Sequence, residues 1–303
     1  MRRLFLIYNP RSSRYADVKQ DVLDRVRSLK GYIIGKYEVA STNIDDNIAK
    51  FSKLLKDGDL VISAGGDATG VIAANSILRS RKDVTLAVLP YGNFNDLART
   101  LGTKTLDDII AGPIQNTAKL YPLEITVDGK FFRYATCYVT IGMTASAVYI
   151  YDQPKMRKKL KTNFGRKVIS YTELASWYFK HRHKHTFIPE FSLNGIPQPI
   201  KTTDYAAING RSMARVMKGR TDYLDPQRFR SETDRLASFW RLFKLMARSI
   251  LYRVPGTDTT SDILEFKQLA TITLQAEGEH QVFKSIHKIE IKKGVKCLKV
   301  IKI

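Results

Sequence analysis

Cysteine is almost absent: Cys137 and Cys297 are the only two in 303 residues. Their separation excludes a ligand-spaced metal cluster, and a single pair cannot build the disulfide framework of a small secreted fold. Long hydrophobic runs are missing as well. Met1-Arg2-Arg3 is followed by an apolar run, Leu4–Tyr8, that stops at Asn9-Pro10 and is too short for the apolar region of a signal peptide. No stretch approaches the roughly 20 apolar residues that a membrane span requires. The chain therefore reads as intracellular and cytoplasmic, with any membrane contact peripheral, on the inner face. It has no Walker A sequence, no His-Glu-x-x-His, no internal repeat and no low-complexity linker.

Acidic residues are also scarce. Lys and Arg number 50 against 29 Asp and Glu, a formal charge of +21. The imbalance is uneven, with 18 basic and 13 acidic residues in 1–123 against 32 and 16 in 124–303. Such an excess suggests an anionic partner for the second part of the chain. No nucleic-acid-binding module is recognisable, so a membrane surface is expected rather than nucleic acid.

Residues 1–120 alternate short apolar runs with helical patterns. Strands are expected at Leu4–Tyr8, Tyr37–Ala40, Leu60–Ala64 and Leu86–Leu89. Helices are expected at Asp17–Leu29, where Val18, Val22, Val26 and Leu29 share a face, at Asp45–Leu55, at Thr69–Leu78 and near Asp96. This alternation implies a mostly parallel sheet with helices on its faces and ligands at the carboxyl ends of its strands. From about Leu120 the segments become short and β-rich: Leu123–Val127, Arg133–Ile141, Tyr205–Asn209, Leu269–Gln275 and His287–Ile291, with turn signals at Asp128-Gly129 and Asn194-Gly195. The expectation is a parallel-sheet α/β domain over 1–122 and an antiparallel sheet, open to a sandwich arrangement and interrupted by helical insertions, over 123–303. The closing Val295–Ile303 reads as one more strand, free to return to the first domain.

Two loops carry chemistry. In Leu60-Val61-Ile62-Ser63-Ala64-Gly65-Gly66-Asp67-Ala68-Thr69 a buried strand delivers two glycines, a carboxylate and a hydroxyl to a helix start. Glycines let backbone N–H groups approach a phosphate, and the helix N-terminus adds partial positive charge. Asp67 suits such a site if Mg²⁺ lies between carboxylate and phosphate; the alternative is a plain turn with Asp67 as N-cap. The second loop, Leu89-Pro90-Tyr91-Gly92-Asn93-Phe94-Asn95-Asp96-Leu97-Ala98-Arg99, repeats the arrangement.

These residues resemble the catalytic domain of the diacylglycerol kinase family, in the superfamily that also holds sphingosine kinases and NAD kinases. Asn9-Pro10 with Arg11, Ser12 and Ser13 is similar to the family's opening element. Gly65, Gly66, Asp67 and Thr69 match Gly-Gly-Asp-Gly-Thr, and Leu89, Pro90, Gly92, Asn95, Asp96, Ala98 and Arg99 match Leu-Pro-x-Gly-x-x-Asn-Asp-x-Ala-Arg. Thr42 resembles a family threonine that touches the nucleotide. Glu277-Gly278-Glu279 resembles the family's late Asp-Gly-Glu, although by its residues alone Glu277-Gly278 reads as a hairpin turn. The resemblance implies an α/β domain, a β-sandwich and an active site in the cleft between them. It also implies ATP and Mg²⁺ as cofactors and transfer of the γ-phosphoryl group to the hydroxyl of diacylglycerol or a related lipid alcohol. A sphingoid base as acceptor, or a catalytically weak nucleotide- and membrane-binding relative, are the alternatives; a homodimer is compatible with all of them. By carry-over Glu279 is the base, and Asp67 and Asp96 organise the catalytic Mg²⁺ and the acceptor. Asn9, Pro10, Arg11, Ser12, Thr42, Gly65, Gly66, Asp67, Thr69, Gly92 and Asn95 serve the nucleotide, and Asp225, in Thr221–Asp225, is the candidate for a structural Mg²⁺. Ala68 stands where the family has a third glycine, at a cost of about 1 kcal/mol if that position needs positive φ. Val71 and Ile72 replace the Asn-Glu that usually follows.

Residues 238–253 form an amphipathic pattern. Arg241, Lys244 and Arg248 recur at helical spacing beside Phe239, Leu242, Phe243, Met246 and Ile250, as at an anionic membrane interface. A helix packed on the sandwich with its cations in water would give the same pattern. Lys155 to Lys167 is a second basic cluster, and His181, His183 and His185 read as surface residues.

Overall fold

The opening apolar run becomes strand β1, Arg2–Tyr8, with Leu4, Phe5, Leu6 and Ile7 fully buried. A strand buried on both faces belongs inside a parallel sheet covered by helices. That is its position in the computed structural model, which describes residues 2–110, 116–146, 172, 176, 179–180, 188–213, 217–235, 240, 243–244, 247–248 and 251–303. The chain divides into two units, Met1–Pro122 with Gly294–Ile303, and Leu123–Lys293.

In the first unit β1 is followed by α1 (Tyr15–Val18), β2 (Tyr32–Glu38), α2 (Ile44–Leu54), β3 (Leu60–Gly65), α3 (Asp67–Ser80), β4 (Thr85–Pro90), α4 (Asp96–Leu101), α5 (Leu106–Ile110) and β5 (Thr117–Leu120). The sheet order is β2-β1-β3-β4, then the closing strand Leu298–Ile301, then β5. The closing strand runs parallel to β4 and antiparallel to β5. Helix α2 begins where the Asn43 side chain accepts the Asp45 N–H, a cap of the expected kind.

Two elements depart from expectation. Asp17–Leu29 is not one α-helix: α1 gives way to a π-helical turn at Lys19–Leu23 and a 3₁₀ turn at Arg25–Ser28. Val18, Val22 and Val26 recur every four residues and all three are fully buried. An ideal helix advances 3.6 residues per turn, so a strict four-residue repeat drifts around it; a widened turn holds the three valines on the core. Strand β2 starts earlier and ends earlier than Tyr37–Ala40, because its register on β1 runs from Arg2↔Tyr32 to Tyr8↔Glu38. Gly35 disguised it. A Cβ there would collide with the Tyr37 ring, which stacks on Phe5 with ring centroids 3.8 Å apart.

The second unit is antiparallel. Its strands are β6 (Leu123–Val127), β7 (Lys130–Ala135), β8 (Tyr138–Gly142), β9 (Phe191–Leu193), β10 (Ile196–Pro197), β11 (Asp204–Ile208), β12 (Ser212–Met213), β13 (Met217–Lys218), β14 (Phe229–Asp234), β15 (Thr257–Thr259), β16 (Ser261–Ala276) and β17 (Glu279–Lys293). Hydrogen bonding runs in the order β15-β14-β11-β8-β16-β17-β6-β7, with β9 beside β16 and β10 beside β9. Residues of β6, β8, β11, β14, β16 and β17 meet in one core, so the sheet folds over on itself as a sandwich. Leu269–Gln275 and His287–Ile291 are pieces of two long strands; their pairing slips between Glu265 and Ile272, which breaks the alternation that sequence reading follows. Arg133–Ile141 is two strands parted at Thr136-Cys137.

Asp204 pairs across β11 and β8 with Gly142 and is buried. Its carboxylate accepts the N–H and hydroxyl of Thr144. Burial pushes the Asp204 carboxyl up to about 7, with Asp234 adding to the effect. An acid with a raised folded pKa holds its proton better folded than unfolded, so its contribution declines as pH rises from about 4 to 7. Asp204→Asn keeps the shape and sheds the buried charge. It is expected to raise the melting temperature by several degrees at pH 8 and by much less at pH 4.5, read by calorimetry at both.

Candidate functional site

Four strands of the first sheet end level. Tyr8 pairs with both Glu38 and Ala64, Ala64 with Leu89, and Gly65 with Pro90. The segments that follow, Asn9–Ser13, Val39–Thr42, Gly66-Asp67 and Tyr91–Asp96, therefore leave the sheet along one edge. Every residue of the first unit proposed for nucleotide or Mg²⁺ lies in these segments or, as Gly65 and Thr69 do, beside the Gly66-Asp67 turn.

The opening turn is braced from within. Asn9 accepts the Arg11 N–H through Oδ1 at 2.9 Å and the Ser12 N–H through its carbonyl at 3.0 Å, with Pro10 at the corner. The Arg11 guanidinium donates to the carbonyls of Val39 and Ser41, at 3.2 and 2.7 Å. That contact ties the turn to the loop bearing Thr42, which is exposed. Ser12 donates to the Tyr91 carbonyl, Ser13 to Asn93 Oδ1 and Arg14 to the Pro90 carbonyl. Sequence reading passed over Ser13 and Arg14 as braces because their partners lie some 75–80 residues away along the chain.

The two glycine loops are joined by Asp67. Its carboxylate accepts the N–H of Asn95 at 2.9 Å and of Asp96 at 2.7 Å. The carboxylate after β3 thus caps α4, the helix after β4. Asn95 sits in the left-handed region, φ 59°, and turns its amide inward: Oδ1 accepts Gly92 N–H at 2.7 Å and Nδ2 donates to the Gly92 carbonyl at 2.8 Å. The side chain assigned to nucleotide thus shapes the loop. Gly66 and Gly92 face each other, and a Cβ on Gly92 would overlap the Gly66 Cα. Gly65 is needed for a different reason, because a Cβ there would strike the Thr69 side chain. Thr69 is fully buried, with no hydrogen-bond partner for Oγ1 among the described residues, and packs under Gly65. Ala68 lies in the first turn of α3 and is not among the positive-φ residues, so the missing third glycine carries no backbone penalty.

Gly92→Ala tests the loop contact. The methyl group must push two backbones apart, a clash expected to cost about 2–3 kcal/mol and lower the melting temperature by several degrees. Gly58→Ala, at a left-handed position with open space around the new Cβ, is the control for strain alone.

Burial pushes the Asp67 carboxyl up to about 7, with the Asp96 carboxylate beside it adding to the effect and the N–H groups of Asp96 and Asn95 opposing it. Asp96 is itself buried. Two close carboxylates at the N-termini of α3 and α4 make a donor pair that a divalent cation would relieve, and each Asp67 oxygen keeps a lone pair beyond its N–H bond. The residues present fit Mg²⁺ shared with phosphate oxygens.

In the second unit, Glu277 and Gly278 form a two-residue turn with φ 51° and 87° between β16 and β17, pairing Ala276 with Glu279. Glu277 is buried, and its carboxylate accepts the Thr136 hydroxyl at 2.8 Å and the Cys137 N–H. The hairpin that presents the partly exposed Glu279 is thereby hooked to the break between β7 and β8. Sequence reading caught the turn and missed the hook.

Asp225 does not fit a structural Mg²⁺. It accepts the N–H groups of Gln227 and Arg228 at 2.8 and 2.9 Å and the Arg228 guanidinium at 3.1 Å. Burial opposes its ionisation, but the Arg228 and Gln227 N–H groups outweigh it and hold the carboxyl down to about 2. The buried Arg220 guanidinium lies near Asp222, Asp225 and Asp258, and the buried Lys293 ammonium donates to the carbonyls of Tyr223 and Arg228. Cations of the chain already fill this loop. Among the described residues no group of three or more His, Cys, Asp or Glu is arranged to hold a metal.

The cluster Lys155 to Lys167 and the residues His181, His183 and His185 lie outside the described residues, as do Phe239, Arg241, Leu242, Met246 and Ile250. Among the described residues no helix is long and apolar enough to cross a membrane.

Residues 3–120 match the family model of the diacylglycerol kinase catalytic domain. A diacylglycerol kinase of Bacillus subtilis (strain 168) is 32% identical over 169 residues, which is 55% of this chain and 52% of that relative. The match thus spans about half the relative's length. A crystal structure of a diacylglycerol kinase from Bacillus anthracis str. Sterne superposes with a TM-score of 0.71 at 15% identity, covering 100% of this chain and 97% of its own. A second structure from that organism gives a TM-score of 0.69 at 16% identity, over 100% and 97% of the two chains.

Proposed function

We propose that the chain, whose residues 3–120 match the family model of the diacylglycerol kinase catalytic domain, is an ATP-dependent lipid kinase, transferring the γ-phosphoryl group to the hydroxyl of diacylglycerol or a related lipid alcohol. The observation that carries this reading is the bond between the two loops: Asp67 holds the N–H groups of Asn95 and Asp96 and sets two carboxylates side by side at two helix N-termini. Phosphoryl transfer asks little covalent chemistry of a protein. It needs phosphates positioned by backbone N–H groups and negative charge neutralised where it develops.

In this reading the Gly65-Gly66 turn lets the α3 N-terminus approach the nucleotide phosphates, and the Asn9–Ser13 and Thr42 segments line the nucleotide beside it. Asp67 and Asp96 would hold Mg²⁺, which when bound supplies charge neutralisation between carboxylates and phosphates. Glu279 accepts the proton of the acceptor hydroxyl. Glu277 is a positioning residue, since its carboxylate is committed to Thr136 and Cys137.

Ala68 sits in helical backbone and Thr69 remains packed beneath Gly65, which favours a working loop over the binding-only alternative. The acceptor is identified by offering diacylglycerol, monoacylglycerol, sphingosine and no lipid with labelled ATP and extracting the products. Labelled phosphatidic acid as the dominant product is expected. Label on sphingosine alone would move the assignment to a sphingoid-base kinase, and no labelled lipid with ATP still bound would sink the kinase reading.

A further inference from the structure

Around residues 240–253 the described large apolar side chains are largely exposed. Trp240 is 69% exposed, Phe243 53%, Leu251 65% and Tyr252 75%. Isolated exposed apolar residues are ordinary, but four within thirteen positions form a patch. Trp240, Phe243, Lys244, Ala247, Arg248 and Leu251 are helical, at spacings of three and four. On a helix that spacing sets Trp240, Phe243, Ala247 and Leu251 on one side, with Lys244 and Arg248 along its flank. Both cations are exposed, as is Arg253 just beyond, and the stretch Leu236–Val254 contains no Asp or Glu. Trp240 and Phe243 meet edge to face with ring centroids 6.0 Å apart, a pairing that holds both rings together outside the core.

A helix packed against the sandwich would bury these rings and leave only the cations outside. Here rings and cations are exposed together. Trp and Tyr with flanking Lys and Arg is the composition of a segment lying in the headgroup region of a bilayer: rings enter the acyl boundary while long basic side chains reach the phosphates. The excess positive charge of residues 124–303, 32 basic against 16 acidic, favours an anionic surface.

We propose that Trp240, Phe243, Leu251 and Tyr252, with Lys244, Arg248 and Arg253, form a docking surface that inserts into an anionic lipid bilayer. This rests on the lipid-kinase reading for its purpose, since a water-soluble enzyme must reach an acceptor held in a membrane, but not for its test. Docking needs neither ATP nor turnover.

Flotation with vesicles of phosphatidylcholine, with and without 30 mol% phosphatidylglycerol, measures it directly. The protein is expected to float with the anionic vesicles and far less with the neutral ones, and to be released by salt. Trp240→Ser with Phe243→Ser, and separately Lys244→Glu with Arg253→Glu, should each lower the partition coefficient at least tenfold with an unchanged melting temperature. Trp240→Phe should float normally but lose the membrane-induced blue shift of tryptophan emission. Equal flotation of the serine pair and the wild type, or no flotation of the wild type, would overturn the proposal. A dimer that the serine pair dissociates, without any effect of that pair on flotation, would assign the patch to a second copy of the chain instead. Phosphorylation of a short-chain acceptor dispersed in detergent reports on the active site alone, so loss of docking and loss of the kinase reading are told apart.

Discussion

Asp96→Ala is expected to lower the rate of phosphoryl transfer at least a thousandfold, about 4 kcal/mol of transition-state stabilisation, while the melting temperature stays the same or rises. The two halves of this expectation have one origin. The Asp96 carboxylate is buried, and its charge helps push the neighbouring Asp67 carboxyl up to about 7. Such a pair is unfavourable in the resting protein and useful only when a cation and phosphates arrive. Removing Asp96 relieves the repulsion but leaves the loop intact, because Asp67 bonds the backbone N–H of residue 96 and alanine keeps it. Asp67→Ala differs. It takes away the acceptor for two N–H groups at the start of α4, so lost activity there would be mixed with lost structure. Comparing melting temperature and transfer rate across the two variants separates the chemical carboxylate from the structural one. Substantial transfer by Asp96→Ala would remove Asp96 from the mechanism.

Glu279→Gln is expected to reduce kcat by a factor of about 10² to 10⁴, with little change in KM for ATP, as befits loss of a general base rather than a binding group. Glutamine preserves size and β-pairing at the start of β17, where residue 279 faces Ala276 across the turn. Glu277→Ala offers the contrast. Glu277 is buried and accepts from Thr136 and Cys137, and alanine leaves the Cys137 N–H without that acceptor. A loss of stability is expected there, with activity falling in step. If Glu279→Gln kept most of its kcat while Glu277→Ala lost it at full stability, the two roles would have to be exchanged.

Much of this arrangement is legible in the chain itself. Val61, Ile62, Leu86, Leu89 and their neighbours are apolar without alternation, as strands covered on both faces must be, and the glycines and Asx residues stand where such strands end. Other features hide because their causes lie far away in sequence. Asp67 looks like a cap for its own helix, yet it caps α4, 28 and 29 residues on. Asn95 looks like a ligand, yet its amide closes on Gly92. The break in the helix expected at Asp17–Leu29 hides in an every-four-residue valine repeat, which reads as helical but which a widened turn serves. Asp225 reads as a free metal ligand, yet Arg220, Arg228 and Lys293 surround its loop. Glu277 resembles a turn residue because its partners, Thr136 and Cys137, lie some 140 positions earlier.

The most direct test of the central claim is the Mg²⁺-dependent transfer of label from γ-labelled ATP to diacylglycerol in anionic vesicles, wild type against Asp96→Ala. Labelled phosphatidic acid is expected from the wild type only when Mg²⁺ is supplied, and none above background from a variant that melts at the same temperature or higher. Transfer that survives in Asp96→Ala, or a wild type that binds ATP without labelling any lipid, would contradict it.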